Sequence, residues 1–184
     1  YGRINYDYQG KYLVEVNGRY DGSSRFPRNN RFGFFPSFSV GWQVGREKFM
    51  KWSESWLNEF KLRASWGEIG NQVLGDKLIH NYAYIAMMDP VKAGWILNGL
   101  QPITLTTPGM VSSNFTWEVA RTTNIGVDLS LFNNRLQTTF EWYQRRTKGM
   151  LAPGADFSAE IGAAAPKMNA ADLRNRGWEW SISW

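Results

Sequence analysis

The sequence contains no cysteine and a single histidine, His80, among its 184 residues. The absence of cysteine excludes a disulfide framework, a thiol nucleophile and a zinc–thiolate site. A single histidine argues against a histidine-based metal site and against a Ser-His-Asp triad. Carboxylates such as Glu15, Glu118, Asp128 and Glu141 are spread singly, whereas a glycosidase needs two carboxyl groups at a defined separation. We therefore predict that the protein is not an enzyme, and we expect no catalytic residue, no metal and no cofactor.

Long hydrophobic runs are also missing. No segment approaches the roughly 18 apolar residues of a membrane-spanning helix. We expect no signal peptide, because residues 1–6 already alternate like a strand. The formal net charge is +5, but the basic residues are scattered singly rather than gathered in a stripe or tail. This distribution argues against a nucleic-acid partner.

Aromatic residues are abundant, with 10 Trp, 8 Tyr and 11 Phe, while hydrophobic residues make up only 43% of the chain. This combination suits a transmembrane β-barrel, in which half of each strand is polar and aromatic girdles mark the membrane interfaces. It also suits a soluble, aromatic-rich β-sandwich such as a carbohydrate-binding module. Composition leaves both interpretations open.

The clearest pattern lies in residues 117–131, where every odd position except Arg121 is apolar or β-branched and even positions are mostly polar. A period of two predicts a β-strand with one apolar and one polar face. The same alternation predicts six further strands, at 3–8, 12–20, 36–44, 60–67, 135–148 and 177–184. We expect the apolar positions to face lipid, and the polar face to include Glu118, Asp128, Gln137, Glu141 and Ser181.

The connections between these strands alternate in length. The short ones are Gln9–Lys11, Glu47–Asn58, which we expect to hold a short helix or an ordered turn, and Asn133–Asn134. The long ones are Asp21–Phe35, Asn71–Phe115 and Gly149–Arg176. Short turns on one edge and long loops on the other are typical of outer-membrane barrels. We therefore predict an all-β fold, an antiparallel transmembrane β-barrel segment of about seven strands; an odd number argues for a piece of a larger barrel.

The residues in two of the short turns predict how the strands on either side of each turn pair. Pairing of Tyr8 with Tyr12 places the even residues of both strands on one face and demands a three-residue loop, in which Gly10 supplies the left-handed residue. Around Asn133–Asn134, pairing of Leu131 with Leu136 leads, rung by rung, to Arg121 opposite Arg146. We expect these two arginines to mark the outer-leaflet boundary and to contact lipopolysaccharide phosphate; two solvated arginines above the membrane are the alternative.

Short motifs are spread along nearly the whole chain. They are Lys11-Tyr12-Leu13, residues 19–26 (RYDGSSRF), residues 35–42 (FPSFSVGW), Glu47-Lys48-Phe49-Met50, Trp56-Leu57-Asn58, residues 61–67 (KLRASWG), Gly70-Asn71-Gln72, Trp117-Glu118, residues 123–128 (TNIGVD), residues 132–136 (FNNRL) and residues 175–179 (NRGWE). In order and spacing, these motifs resemble the barrel of SusC-like (SusC/RagA) TonB-dependent transporters.

The resemblance implies a barrel of about 22 strands in the outer membrane of Bacteroidota. A plug domain fills such a barrel, a SusD-like surface lipoprotein covers it as a lid, and TonB drives the import of oligosaccharides or peptides. Residues 1–184 would then be part of a single transmembrane β-barrel domain. We expect the plug domain, the TonB box and the remaining strands to lie outside this chain.

The longest loop offers the candidate substrate-binding residues. Aromatic rings beside amides and hydroxyls suit sugar or peptide binding, and loop packing is the alternative role. The candidates are Tyr82, Tyr84, Trp95, Asn98 and Gln101. The segment Asp21–Arg25 is expected to be structural, because Gly and Ser are ordinary loop residues. Two other functions stay open: a TonB-dependent siderophore or vitamin receptor, and a soluble glycan-binding β-domain of a secreted enzyme.

Overall fold

The computed structural model describes residues 1–74, 77–78, 82–112, 115–154, 158–161 and 165–184. His80 lies outside the described residues. Eleven β-strands run along this part of the chain. They are β1 Gly2–Tyr8, β2 Tyr12–Gly22, β3 Phe32–Gln43, β4 Leu57–Asn71, β5 Val73–Leu74, β6 Lys77–Leu78, β7 Pro90–Lys92, β8 Ile103–Leu105, β9 Glu118–Leu131, β10 Leu136–Pro153 and β11 Lys167–Ser183.

Seven of these strands form one antiparallel sheet in the order β1-β2-β3-β4-β9-β10-β11. All neighbours in the sheet are consecutive along the chain, apart from the small strands β5 to β8 inserted between β4 and β9. The predicted antiparallel all-β fold is therefore confirmed. None of the short 3₁₀-helices among the described residues has the length and hydropathy needed to cross a membrane.

The short connections lie at one edge of the sheet. Tyr8 pairs with Tyr12, the amide of Lys11 donates to the carbonyl of Tyr8 at 3.0 Å, and Gly10 has a φ of 61°. The predicted three-residue turn is therefore confirmed. Between β3 and β4 the chain forms the 3₁₀-helices Val44–Arg46 and Lys48–Ser53, which confirms the expected ordered turn. The prediction that Val44 faces lipid at the end of a strand is wrong, because β3 ends at Gln43 and Val44 is buried in the turn.

The Asn133–Asn134 turn sets the register of β9 and β10 as predicted. Asn133 and Asn134 have φ angles of 55° and 65°, in the left-handed region that asparagine tolerates better than most residues. Leu131 pairs with Leu136, and the ladder continues without a bulge to Arg121 opposite Arg146. Each pairing predicted along these two strands is confirmed.

The long connections lie at the opposite edge, and the first and third of them are shorter than predicted, because the strands extend further into them. Strand β3 begins at Phe32, β4 continues to Asn71, and β10 and β11 reach Pro153 and Lys167. The predicted loop 149–176 is thus reduced to residues 154–166, and the 3₁₀-helix Ala159–Ile161 lies within it. These extensions lack a clean alternation, which is why the pattern did not reveal them.

The sheet has one polar and one apolar face, as the alternation requires. On the apolar face, Ile125, Phe140 and Trp180 are 53%, 45% and 62% exposed, so they do not pack in a closed protein core. This arrangement agrees with a face that contacts lipid. Further members of the apolar face are Val40, Trp42, Leu62, Trp66, Val127, Trp142 and Trp178.

Candidate functional site

The polar face of the sheet forms the wall of two adjoining hollows, with volumes of 530 and 750 Å³. Glu15, Ser39, Ser65 and Asn124 line both hollows, and they form one row because each is the cross-strand partner of the next. Hydroxyl and amide groups both donate and accept hydrogen bonds. Such a wall can therefore be wetted and can exchange hydrogen bonds with a passing polar solute.

An ion-pair network crosses three strands of the polar face. The guanidinium of Arg63 on β4 contacts Asp128 of β9 through Nε at 3.2 Å and Glu141 of β10 through Nη2 at 2.5 Å. Each of these side chains is about a quarter to a third exposed. Since charge-assisted hydrogen bonds are among the stronger polar contacts, this network ties β4, β9 and β10 together within the wall.

Gly126 leaves the space through which the Arg63 side chain reaches Glu141. It is the cross-strand partner of both residues, and a Cβ placed on it would lie 2.7 Å from Cζ of Arg63. Any side chain here would displace the guanidinium from its position across β9. The sequence analysis missed this network, because it depends on the register of three strands at once.

We expect Gly126→Ala to lower the thermal stability of the folded barrel, because the added methyl group displaces Arg63 from Glu141. The loss should be about 1 kcal/mol, since the network is partly solvated. The temperature at which the full-length protein loses its folded, heat-modifiable gel band measures the effect. Gly41→Ala is the matched control: Gly41 lies in the same row, and its nearest neighbours are 3.5 Å from an added Cβ. Equal loss in both variants would contradict the role of the network.

Glu47 anchors the turn between β3 and β4 to β2. Its carboxylate accepts hydrogen bonds from the Tyr12 hydroxyl at 2.7 Å, from Nε1 of Trp42 at 3.3 Å and from Nζ of Lys11 at 3.3 Å. The Tyr12 hydroxyl, followed by the Trp42 indole, holds the pKa of Glu47 below its ordinary value. Because these donors favour the charged form, the anchor persists at neutral pH.

A small core lies at the loop edge of the sheet. Phe26 is fully buried and packs against Phe115 and Trp117, with ring centroids 5.5 and 4.8 Å away. Hydrogen bonds reinforce the cluster: Nδ2 of Asn30 donates to the carbonyl of Phe115, and Nε1 of Trp117 donates to that of Arg31. The first two long loops are thus joined at their bases.

The prediction that Trp117 faces lipid is wrong. Strand β9 begins at Glu118, so Trp117 precedes the regular alternation. Its ring contacts that of Phe35 edge-on at 5.5 Å, and Phe35 lies on the polar face in register with Arg19. Burial against two phenylalanines therefore determines the orientation of Trp117.

The segment Asp21–Arg25 also joins these two loops. The Ser23 hydroxyl donates to Oε1 of Gln72 at 2.8 Å, and Nη1 of Arg25 lies 3.4 Å from the same oxygen. These contacts agree with the expected structural role of the segment.

The structure places the predicted substrate residues in two groups. Tyr82 and Tyr84 contact each other edge-on at 6.3 Å, and Tyr84 is half-buried. Trp95, Asn98 and Gln101 lie in the connection between β7 and β8 and are exposed. Among the described residues, no ring contact or hydrogen bond joins the two groups, so the structure does not bring all five together.

The β7–β8 hairpin is a feature that the sequence analysis missed. Asn98 and Gly99 form its turn, with φ angles of 51° and 77°, and Leu97 pairs with Leu100 around them. Asn-Gly is the strongest short hairpin signal and should have predicted it. The hairpin exposes many large apolar side chains: Val91, Trp95, Ile96, Leu97, Leu100, Ile103 and Leu105.

Arg121 and Arg146 lie on the apolar face near the loop edge, opposite each other as predicted. Each lies beside a carboxylate of a neighbouring strand, Glu68 for Arg121 and Asp172 for Arg146. In the part of the chain that the structure describes, no group of three His, Asp or Glu side chains could hold a metal ion.

Comparison with known protein families supports the barrel interpretation. The family model described as "TonB dependent receptor-like, beta-barrel" matches residues 1–184. Two TonB-dependent receptors of Formosa agariphila, P26 and P39, are 35% and 37% identical to the chain over 183 residues. TonB-dependent receptor SusC of Bacteroides thetaiotaomicron is 32% identical over 188 residues. These matches cover 100% of the chain but only 16–18% of the relatives.

Comparison with solved structures also supports the barrel interpretation. The RagAB peptide importer in its closed-closed state superposes with a TM-score of 0.79 at 26% identity, over 98% of the chain and 18% of that protein. A second structure, of the RagAB peptide transporter, gives a TM-score of 0.78 at 27% identity, over 98% of the chain and 19% of that protein. The chain thus spans less than a fifth of the length of these relatives.

Proposed function

Because the chain belongs to the TonB-dependent receptor-like β-barrel family, we propose that it forms part of the wall of an importer that takes up oligosaccharides or peptides. Members of this family are outer-membrane transporters rather than enzymes. A soluble glycan-binding domain is thereby excluded. Within the family, the proposal favours a SusC-like importer over a siderophore or vitamin receptor, since SusC and RagAB are among the similar proteins.

The observation that carries the proposal is the division of the sheet into two faces. The apolar face leaves aromatic and aliphatic side chains exposed, whereas the polar face lines the hollows with hydroxyls, amides and ion pairs. In a barrel that is closed by further strands, the polar face surrounds a wet lumen and the apolar face contacts lipid. A polar oligosaccharide or peptide can pass along such a wall.

The exposed β7–β8 hairpin supports the proposal of a lid. Its apolar side chains extend from the loop edge, where an outer-membrane barrel meets the exterior. Contiguous exposed apolar surface usually marks an interaction site. We propose that a SusD-like surface lipoprotein covers it, and that TonB acts through parts of the protein outside these residues.

Tyr82, Tyr84, Trp95, Asn98 and Gln101 are the proposed substrate contacts. Their rings and amides suit stacking on and hydrogen bonding to sugars or peptides. Half-burial of Tyr84 and the turn position of Asn98 give these two residues a structural role as well. Trp95, which is exposed, is therefore the more informative residue to test.

We expect the double variant Tyr84→Ala with Trp95→Ala to reduce uptake without reducing barrel assembly, because both side chains lie outside the seven-stranded sheet. Uptake of labelled substrate by cells that express the full-length protein, alongside its heat-modifiable folded band, measures the two effects. Trp52→Ala is the control, since Trp52 is also an exposed tryptophan but lies in the short turn between β3 and β4. Unchanged uptake in the double variant would assign both residues to loop packing.

The substrate itself is best identified by purifying the full-length protein with any bound lipoprotein and analysing the bound ligand by mass spectrometry. A glycan or peptide in the complex would support the proposal. A ferric siderophore or a vitamin, without a lid lipoprotein, would replace it with the receptor alternative.

A further inference from the structure

Four arginines lie together on the apolar face, at the loop ends of three adjacent strands. Arg121 of β9 pairs with Arg146 of β10, and Arg146 pairs with Arg174 of β11. Arg176 lies two residues further along β11 on the same face, opposite Gln144. We call these four residues the arginine cluster. The sequence analysis found only the first two, because it began the last strand at Gly177.

The strand alternation places the arginine cluster outside the barrel. Arg174 and Arg176 have the parity of Trp178 and Trp180 along an uninterrupted ladder. Arg146 likewise shares its face with Phe140 and Trp142. The cluster therefore projects from the surface that carries the exposed aromatic side chains, not into the polar hollows.

Acidic neighbours compensate only half of the cluster. Arg121 is held by Glu68 at 2.8 Å through Nε, and its Cζ lies 5.7 Å from the centre of the Trp66 ring. Nη2 of Arg146 is 3.5 Å from Oδ2 of Asp172. Within the described residues, no carboxylate pairs with Arg174 or Arg176. Four cations and two carboxylates thus leave an excess of two positive charges.

This excess carries a cost that a bound anion would relieve. Like charges directly opposite each other in a sheet are destabilising, and three arginines follow one another across adjacent strands about 4.8 Å apart. A guanidinium presents N–H groups in a planar fork that matches a phosphate. Neighbouring forks on one face can therefore share a single phosphate group.

The height of the cluster indicates which phosphate is available. Arg146 lies ten residues from Leu136 at the short-turn end of β10, which is roughly 34 Å along the strand. With a strand tilt of about 40°, this distance corresponds to the height of the apolar band, about 25 Å. The cluster therefore lies where the apolar band meets the headgroups of the outer leaflet.

We propose that the arginine cluster is a binding site for the phosphate groups of lipopolysaccharide in the outer leaflet. Arg174 and Arg176, which have no acidic partner among the described residues, form the principal contacts. Arg121 and Arg146, already held by Glu68 and Asp172, extend the site across β9 and β10. Lipid bound here would fix the outer-leaflet boundary on this side of the barrel.

The test compares lipid retention by the full-length protein purified in detergent. Arg174→Gln with Arg176→Gln should reduce the lipid A signal, measured by mass spectrometry, by about tenfold, because charge-assisted contacts are lost. Arg174→Lys with Arg176→Lys should retain part of the signal, since the charge remains but the planar fork is lost. Arg145→Gln is the matched control: Arg145 lies on the neighbouring strand β10, where it pairs with Asn175 between the two variant positions, but on the polar face.

A heat-modifiable folded band confirms that each variant forms the barrel. Washing with inorganic phosphate separates the sources of the anion: bound lipid A that resists the wash supports the proposal, whereas its complete displacement would indicate a site for free phosphate. Wild-type retention in the double glutamine variant overturns the proposal. So does an equal loss in Arg145→Gln, because the effect would then depend on net charge alone.

Discussion

Replacing Phe26 with alanine is expected to destabilise the loop edge of the barrel by about 3–5 kcal/mol, the usual cost of removing a phenylalanine side chain from a core. Phe26 has no exposed surface, its ring contacts those of Phe115 and Trp117, and Leu151 packs against the same cluster. Its removal would leave a cavity between the bases of the long loops. The cost should fall on the ordering of these loops, because the cluster lies beyond the regular ladder of the sheet.

Hydrogen exchange on the full-length protein measures this effect. Amides in residues 23–31 and 115–117 should exchange faster in Phe26→Ala, while those of β1 and the first half of β2 keep their protection. Phe49→Ala is the control, since Phe49 is 60% exposed in the short turn between β3 and β4 and its loss should cost less than about 0.5 kcal/mol. Unchanged exchange near residue 115 would show that Phe26 does not hold the loops together.

The sequence predicted the sheet well where period and turn chemistry agree. The alternation in residues 117–131 and the left-handed asparagines at 133 and 134 leave a single register. With that register, the predicted cross-strand pairs from Leu131–Leu136 to Arg121–Arg146 are all correct. Since a slip of one residue would exchange the two faces of a strand, such registers are strongly determined.

Prediction failed where strands extend into the long connections. Residues 167–176 of β11 carry polar side chains at many positions on both faces, so no period marks them as strand. Residues 32–35 of β3 have three phenylalanines and one glycine, again without alternation. Backbone pairing with a neighbouring strand orders both segments, and pairing is invisible to a pattern read along one strand.

The candidate site was predictable only in part. The polar positions of the wall follow from parity alone, and Asp128, Gln137, Glu141 and Ser181 lie there as expected. The ion pair between Arg63 and Glu141 does not follow from parity. It requires the β4–β9 and β9–β10 registers together, and a glycine at position 126 where the arginine side chain crosses β9. Likewise, Arg174 joins Arg146 only through the β10–β11 register, which no short turn in the chain defines.

The division into two faces makes a quantitative prediction for the membrane itself. Phe140 lies on the apolar face between Val127 and Trp180, and its ring is 6.4 Å from that of Trp178. It is closer to the middle of β10's apolar stretch than to the arginine cluster. A lysine at such a position would place its ammonium group in hydrocarbon, where no water or counter-ion compensates the charge.

We therefore expect Phe140→Lys to destabilise the full-length barrel in a lipid bilayer by about 2–4 kcal/mol, the cost of a basic residue near the bilayer midplane. Reversible unfolding by denaturant in lipid vesicles measures the change. Thr139→Lys is the matched control: it is the next residue along the strand, faces the opposite side, and has Asp128 as its cross-strand partner. Its lysine would enter the wet lumen beside a carboxylate, so its stability should change by less than about 1 kcal/mol. If Thr139→Lys were the more damaging substitution, the assignment of the two faces would be wrong, and the polar face of β10 would contact lipid.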